Sequence, residues 1–283
     1  MNSPAPQHTY GDRISPRNFK RLAGYIFNYS GIKITESKLT MLEGRLRRRL
    51  RATGIDGFDA YCTFLFDNDG LATESVHLID VVTTNKTDFF REPNHFDYMR
   101  DVALPELHAR GVRRIRSWSS ACSIGAEPYT MAMVLEDYRV NDRGPDYSIL
   151  ATDLSTDVLQ KAQRGIYPAE MIDPVPADMQ QRYVMQSRDR EARLVRISPR
   201  LRSKVGFMRL NLMDRGYKVG DPMHIIFCRN VLIYFDKKTQ LHVMQNLCDC
   251  LAPGGYLFIG HSESIATMNL PVRQIANTIF IKE

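Results

Sequence analysis

The chain has 283 residues, 43% hydrophobic and 25% charged, which is ordinary globular composition with enough apolar material for a sizeable core. No run approaches the roughly 18 apolar residues that cross a bilayer, and the polar, proline-bearing start lacks the apolar stretch of a secretory signal. Five cysteines, an odd and sparse set, suit a reducing cytoplasm better than a disulfide framework.

Residues 1–12 read as a flexible lead-in and residues 13–82 as a mostly helical domain. The net charge of +6 is unevenly spread: residues 13–51 hold eleven Lys or Arg against Glu36 and Glu43, and residues 52–84 hold six acids and no Lys or Arg. Such a concentrated basic segment suits a surface that meets something acidic, or simply a solvated helix face. Leu39, Leu42, Leu46 and Leu50 recur at helical spacing, with Thr35 or Ser37 placed to cap the start. Around that stripe Arg48 falls opposite the leucines, Arg45, Arg47 and Arg51 face outward, and Arg49 lies nearest the apolar side. Gly54 and Gly57 break this helix, and further helices are predicted over 58–66 and 72–82.

Beyond residue 110 short β-rich runs alternate with helical ones. Strands are predicted at 114–119, 147–152, 205–211, 224–228, 255–260 and 277–281, and helices at 96–111, 127–138, 156–164 and 237–251. This alternation predicts a parallel sheet covered on both faces. The runs 183–185 and 193–197 break the alternation and read as a hairpin inserted at about 180–200.

Ligands of open α/β sheets bind beyond the carboxyl ends of the strands. After the first strand comes Ser120-Ala121-Cys122-Ser123-Ile124-Gly125-Ala126-Glu127-Pro128, small and backbone-accessible, without the full G-x-G-x-x-G of a dinucleotide site. Asp153 follows the second strand, where a carboxylate accepts both ribose hydroxyls; it also suits an N-cap ahead of Ser155 and Thr156. Asn211 and Leu212 follow the third, an amide and an apolar group fit to clamp a base. After the fourth, Arg229 and Asn230 interrupt an apolar run ending at Tyr234, and a ligand would supply their partners. Together these strand ends indicate a nucleoside-type cofactor. Cys248-Asp249-Cys250 lacks further clustered ligands, so no metal is assigned.

Three segments carry a more specific signal. Thr83-Thr84-Asn85-Lys86-Thr87-Asp88-Phe89-Phe90-Arg91-Glu92, then 227–235, then Gly260-His261-Ser262-Glu263-Ser264 resemble the signatures of the chemotaxis receptor methyltransferase (CheR) family. The segment 124–129 is similar to that family's first cofactor loop, with Ala126 where two consecutive acids are usual. The resemblance runs from about residue 18 to the end of the chain. It implies an α/β, Rossmann-like S-adenosylmethionine-dependent methyltransferase domain over 96–283 with a small inserted antiparallel β-subdomain. An all-α N-terminal domain and a linker over 83–95 that contributes to the cofactor site would precede it. It further implies methyl transfer from S-adenosyl-L-methionine to chemoreceptor glutamates, with S-adenosyl-L-homocysteine as product.

By this resemblance Asn85, Thr87, Arg91, Glu127, Asp153, Asn211, Leu212, Arg229 and Asn230 bind the cofactor. Arg91, Tyr234 and Arg229 line the place of methyl transfer, and Arg45, Arg48 and Arg51 meet the receptor's helices. The expected partners are cytoplasmic methylation helices of chemoreceptors, and a receptor C-terminal peptide at the β-subdomain, although the turn 186–192 lacks glycine and carries the charged run 188–191. Nucleic acid and direct membrane insertion are not expected, and a monomer is the default. The arginine-rich helix has no interleaved aromatics for base stacking. A methyltransferase of other substrates and a cofactor-holding signalling module are the competing readings; intact Asn85, Arg91, Asp153 and Tyr234 speak against the second.

Overall fold

A computed structural model describes residues 13–189 and 191–283, so the lead-in 1–12 and Arg190 of the charged turn lie outside the described residues. The chain divides into two compact units between Thr84 and Asn85.

The first unit is helical: α1 (Pro16–Ser30), α2 (Leu39–Thr53), α3 (Phe58–Asp67) and α4 (Leu71–Val82). Ser15 caps α1 by accepting from the Asn18 amide, Pro16 opens its first turn, and Gly31 ends it at φ 73°. Leu42 and Leu46 of the predicted stripe are fully buried. The proposed caps of α2 are corrected: a 3-10 turn over Glu36–Lys38 precedes the helix, and the Thr35 and Ser37 hydroxyls bond to each other at 2.9 Å. The expectation for Arg49 holds, since it grips buried Glu74 through two bonds of 2.6 and 2.9 Å. Tyr61 also donates to Glu74 at 2.9 Å, so the acid joins α2, α3 and α4.

The second unit alternates strands and helices, as α/β chains do. It contains α5 (Asn94–Tyr98), α6 (Leu104–Ala109), β1 (Arg114–Ser119), α7 (Ala126–Asn141), β2 (Asp146–Asp153), α8 (Thr156–Arg164) and β3 (Ile166–Pro168). There follow α9 (Ala177–Tyr183), β4 (Val184–Gln186), β5 (Leu194–Ile197), α10 (Pro199–Arg202), β6 (Val205–Arg209) and β7 (Met223–Cys228). The unit closes with α11 (Lys237–Cys250), β8 (Leu251–Ile259), β9 (Val272–Ala276) and β10 (Ile279–Lys282). The main sheet has the order β6-β2-β1-β7-β8-β10-β9.

The expected parallel sheet is corrected at one edge. Five strands are parallel, but β10 runs antiparallel to both β8 and β9. The last two strands are joined by the tight Asn277–Thr278 turn, too short for a parallel crossover. The half-exposed β9 had no apolar run to announce it. The single lead-in helix is also corrected: a π-helical stretch, Met99–Ala103, separates α5 from α6 just before Pro105.

The small sheet has the order β3-β5-β4, all antiparallel. It is a three-stranded element whose first strand lies outside the predicted 180–200 window. Helix α7 is buried all round, including the consecutive Met131–Leu135, so it is a core helix and not an amphipathic one. Its two buried acids tie it to the inserted segment: Asp137 accepts from Arg182 and Tyr183, and Glu136 pairs with Arg139 and Arg200.

Candidate functional site

The topology reverses between β1 and β7, with β2 and β6 on one side and β8 on the other. A crevice at the carboxyl ends of the flanking strands is the standard consequence. The loop after β1 is pinned from both neighbours: the Ser120 amide donates to Phe227 O at 2.9 Å and the Cys122 amide to Thr152 O at 2.8 Å. Its Gly125 sits at φ +95°, and a Cβ there would lie 2.9 Å from both the Ala162 Cβ and the Tyr167 hydroxyl. Glycine is therefore required at this turn. Tyr167, from β3, donates to Ile124 O at 2.7 Å, so the inserted sheet buttresses the loop after β1.

Asp153, at the end of β2, accepts the Ser123 amide at 2.8 Å on one oxygen and the Ser155 amide at 3.0 Å on the other. The carboxylate thus holds the β1 loop and the entry to α8 at once. Ser123 donates its hydroxyl to Asn85 O at 2.8 Å, which fastens the start of the signature segment to the same loop. Further along, the Phe90 amide donates to Thr130 Oγ1 at 3.2 Å and Arg91 to Lys86 O at 3.0 Å. Thr87 and Arg91 are half-buried in this segment. Asn211 and Leu212 follow β6, Leu212 buried and the Asn211 side-chain oxygen accepting the Met213 amide at 3.0 Å.

The centre of the site is Arg229, 5% exposed at the end of β7. Its Nε lies 3.5 Å from carboxylate oxygens of both Glu92 and Glu127, its Nη2 donates to Arg91 O, and its plane lies over Phe96 and Phe227. Burial pushes the Glu127 carboxyl up, against the opposing pull of Arg229 and of the Ser119 hydroxyl, which donates to it at 2.7 Å. Glu92 is also pushed up by burial, but the Asn230 amide at 3.1 Å and the Arg229 charge outweigh this and hold it below the usual range.

Four of the non-glycine residues with positive φ fall here: Phe90, Glu92, Ser123 and Asn230. Left-handed backbone costs about 1–3 kcal/mol per such residue and gathers where a site dictates the shape. Tyr234 sits half-buried on a 3-10 turn, Leu232–Tyr234.

Sequence reasoning assigned no role to Glu92, His95 or Glu263, although two of them stand inside the quoted signatures. Burial is what reveals them. His95 is 1% exposed, and its Nε2 lies 2.9 Å from Thr278 Oγ1. That hydroxyl spends its hydrogen on Asn277 O at 2.7 Å, so His95 must donate from Nε2. Its bare Nδ1 then faces Glu92 Oε2 at 3.5 Å, and neither atom has a hydrogen-bond partner. Glu92, His95 and His261 bring their ligating atoms within 4.8 Å of one another. The Arg229 charge beside the same Glu92 oxygen opposes a divalent cation there.

The arginines expected to face a receptor belong to the first unit. Arg48 and Arg51 are exposed. Arg45 is corrected: its guanidinium turns to the end of α4 and donates to Val82 O, Thr83 O and Thr84 Oγ1 at 2.5–3.0 Å. Arg47 lies over the Phe58 ring at 5.3 Å. Carbonyls exposed at a helix end attract guanidinium groups.

A doubly wound sheet with this crevice, a carboxylate after β2 and a buried arginine among acids defines a Rossmann-like protein suited to a nucleoside-type cofactor. The comparisons agree. Residues 85–281 match the family model "CheR methyltransferase, SAM binding domain", and residues 17–83 match "CheR methyltransferase, all-alpha domain". A chemotaxis protein methyltransferase of Escherichia coli is 39% identical over 89% of this chain and 86% of its own. One from Borreliella burgdorferi is 37% identical over 94% of each chain, and chemotaxis protein methyltransferase 2 of Pseudomonas aeruginosa 33% over 99% of each. Among solved structures, a TehB-like SAM-dependent methyltransferase from Corynebacterium glutamicum is similar at a TM-score of 0.34 and 8% identity, over 68% of this chain and 94% of that one. The chain belongs to the CheR methyltransferase family, and its cofactor is S-adenosylmethionine.

The site's own chemistry fits that cofactor. Glu92, Glu127 and Asp153 outnumber Arg91 and Arg229, which suits a ligand with a sulfonium, an ammonium and one carboxylate. Arg229 Nη1 and Nε and Glu92 Oε2 are buried without hydrogen-bond partners, a donor set and an acceptor for those groups. Among the described residues no helix is long and apolar enough to cross a membrane, and all five cysteines are free.

Proposed function

We propose that this enzyme esterifies glutamate side chains on the cytoplasmic helices of chemoreceptors, yielding glutamate methyl esters and S-adenosylhomocysteine. The observation that carries this reading is the match of both family models in order, because the cofactor domain by itself admits many acceptors. The relatives named above are chemotaxis protein methyltransferases.

The bound cofactor supplies an electrophilic methyl on a positively charged sulfur. A glutamate acceptor has a reference pKa of about 4.3, so at neutral pH it arrives ionised and needs no general base. What the chain must supply is placement and a dry surrounding. Aligning two reactants is worth several kcal/mol. Anion meets cation and charge disappears along the reaction, so a pocket that excludes water favours the transition state over the separated charges.

Arg229 is held by the aromatic faces of Phe96 and Phe227 and by the acids on either side. Its two unpartnered nitrogens are the natural donors for the cofactor's carboxylate. Glu127 and Glu92 take the ammonium end, Asp153 the ribose, and Asn211 with Leu212 the adenine. Asn85 and Thr87 close this side of the pocket. Arg91 organises the cofactor end or steers the incoming carboxylate, and Tyr234 orients the acceptor by a hydrogen bond. The exposed Arg48 and Arg51 present positive charge to glutamate-bearing helices.

A receptor C-terminal peptide is a second partner of this reading. Strand β4 lies at the edge of the small sheet, and Ile166, Met185 and Leu194 are exposed large apolar residues on it. An open strand edge beside apolar side chains favours strand addition by an extended peptide. Pulldown with receptors truncated at the C-terminus tests it; equal retention of full-length and truncated receptors refutes it.

The test of the main reading is incubation with methyl-labelled S-adenosylmethionine and a receptor cytoplasmic fragment. Base-labile release of labelled methanol from the fragment identifies a carboxyl ester. Base-stable label, or label on nucleic acid or a small molecule instead, overturns the reading.

A further inference from the structure

We propose that Glu263 is a positioning residue for methyl transfer: its buried carboxylate sets the shape of the loop that carries Asn230 and Tyr234. It rests on the acceptor reading above for its assay substrate. Glu263 belongs to the third signature segment and is 7% exposed. It makes no ion pair within 4 Å among the described residues. Among the described residues its hydrogen bonds are all to backbone amides. Oε2 accepts from Gly260 at 2.7 Å and Asn230 at 2.9 Å, and Oε1 from Leu232 at 2.7 Å and Ile233 at 3.4 Å.

The geometry explains why a carboxylate stands there. The chain leaves β7 and turns at once, so the amides of 230, 232 and 233 have no strand to pair with. Buried amides without acceptors are expensive. Glu263 gathers them onto one anion, as a concave run of amides gathers any anion. The acid itself is folded back by a short turn in which its amide donates to Gly260 O at 2.9 Å.

Two consequences reach the reaction site. Asn230 is held at φ +57°, and from that conformation its side chain donates to Glu92, the acid beside Arg229. The 3-10 turn that presents Tyr234 begins at Leu232, whose amide is one of the two most tightly held by Glu263. The packing allows no slack. A Cβ on Gly260 would lie 2.6 Å from the Asn230 side-chain nitrogen and 2.8 Å from Glu263 Oε2. Glu263 therefore acts on the pocket at one remove, through Asn230 and its bond to Glu92 and through the turn that presents Tyr234.

The experiment compares full-length wild type with Glu263→Gln, which keeps the size but puts an amide NH2 against backbone N–H groups. The measurements are kcat on a receptor fragment, the Kd for S-adenosylhomocysteine by calorimetry, and the folded fraction under assay conditions. The expected result is a fall in kcat of at least about tenfold that exceeds the loss of affinity for S-adenosylhomocysteine, with the protein folded. A kcat within twofold of wild type overturns the proposal. So does a loss of activity that merely follows a loss of folded protein, which is the result of a purely structural role. If Glu263→Gln does not fold, Gly260→Ala presses on the same contact and must reproduce the split between kcat and affinity; unaltered kcat overturns the proposal. A wild type that leaves the fragment unmethylated sinks the acceptor reading, and this inference with it. A wild type that turns over beside an equally active variant sinks this inference alone.

Discussion

Arg229 and Glu127 face each other at 3.5 Å from the end of β7 and the first turn of α7, two elements separated by about a hundred residues of chain. Glu92 holds the other side of the same guanidinium at the same distance. Removing one partner of a buried pair strands the other charge and costs about 3–5 kcal/mol. Arg229→Ala should lower the unfolding free energy measured by urea titration by an amount in that range, because two acids lose their counter-charge. Glu127→Gln should be milder in stability and appear chiefly as a rise of about tenfold or more in KM for S-adenosylmethionine. A Glu127→Gln enzyme with unchanged cofactor KM contradicts the assignment.

Arg91 and Tyr234 are expected to act on turnover. Arg91→Ala and Tyr234→Phe should each reduce kcat/KM by about tenfold or more, equivalent to roughly 1.4 kcal/mol of transition-state stabilisation. Steady-state methylation of a receptor fragment checks both. Near-normal turnover in the pair would remove them from the reaction site.

The arginines of α2 should separate into two kinds. Arg45 serves the end of α4, so Arg45→Ala should destabilise the helical unit by about 1 kcal/mol, the worth of a helix-end bond. Arg48→Glu with Arg51→Glu should leave the melting curve nearly unchanged. That double variant should raise KM for the receptor fragment several-fold and weaken its dependence on salt. Kinetics that respond identically to salt in wild type and double variant count against the basic face.

His95 gives a pH signature. Burial, with Arg229 next, lowers its pKa from the ordinary value near 6.5 to about 3, against the opposing effect of Glu92. Between those values the unfolded chain binds a proton that the folded chain refuses, so stability is lost as pH falls below about 6.5. The loss between pH 6.5 and 5 amounts to roughly 2 kcal/mol at most. His95→Gln, able to keep a bond to Thr278, should flatten the acid side of a plot of unfolding free energy against pH. Parallel plots for variant and wild type rule out this origin.

Much of the architecture was legible in the chain because local patterns carry it. Strand β1 and helix α8 fall on their predicted residues, since alternation, caps and breakers act over a few positions. The β9–β10 hairpin and the third strand of the small sheet were not legible. Short, half-exposed strands have little periodicity, and their pairing is decided by what they lie beside.

The site divides in the same way. Asp153, Asn211 and Arg229 stand out as candidates in the sequence because a strand end is a local feature and ligands bind at strand ends. The roles of Glu92, His95 and Glu263 depend on burial and on neighbours far away in sequence. Periodicity placed Arg45 outward, and the end of α4 turned its guanidinium aside. The sequence by itself determined the fold class, the family and the residue types at the strand ends. The tertiary structure alone decided which charges are desolvated together, because burial and Coulomb energy depend on distance in space and not along the chain.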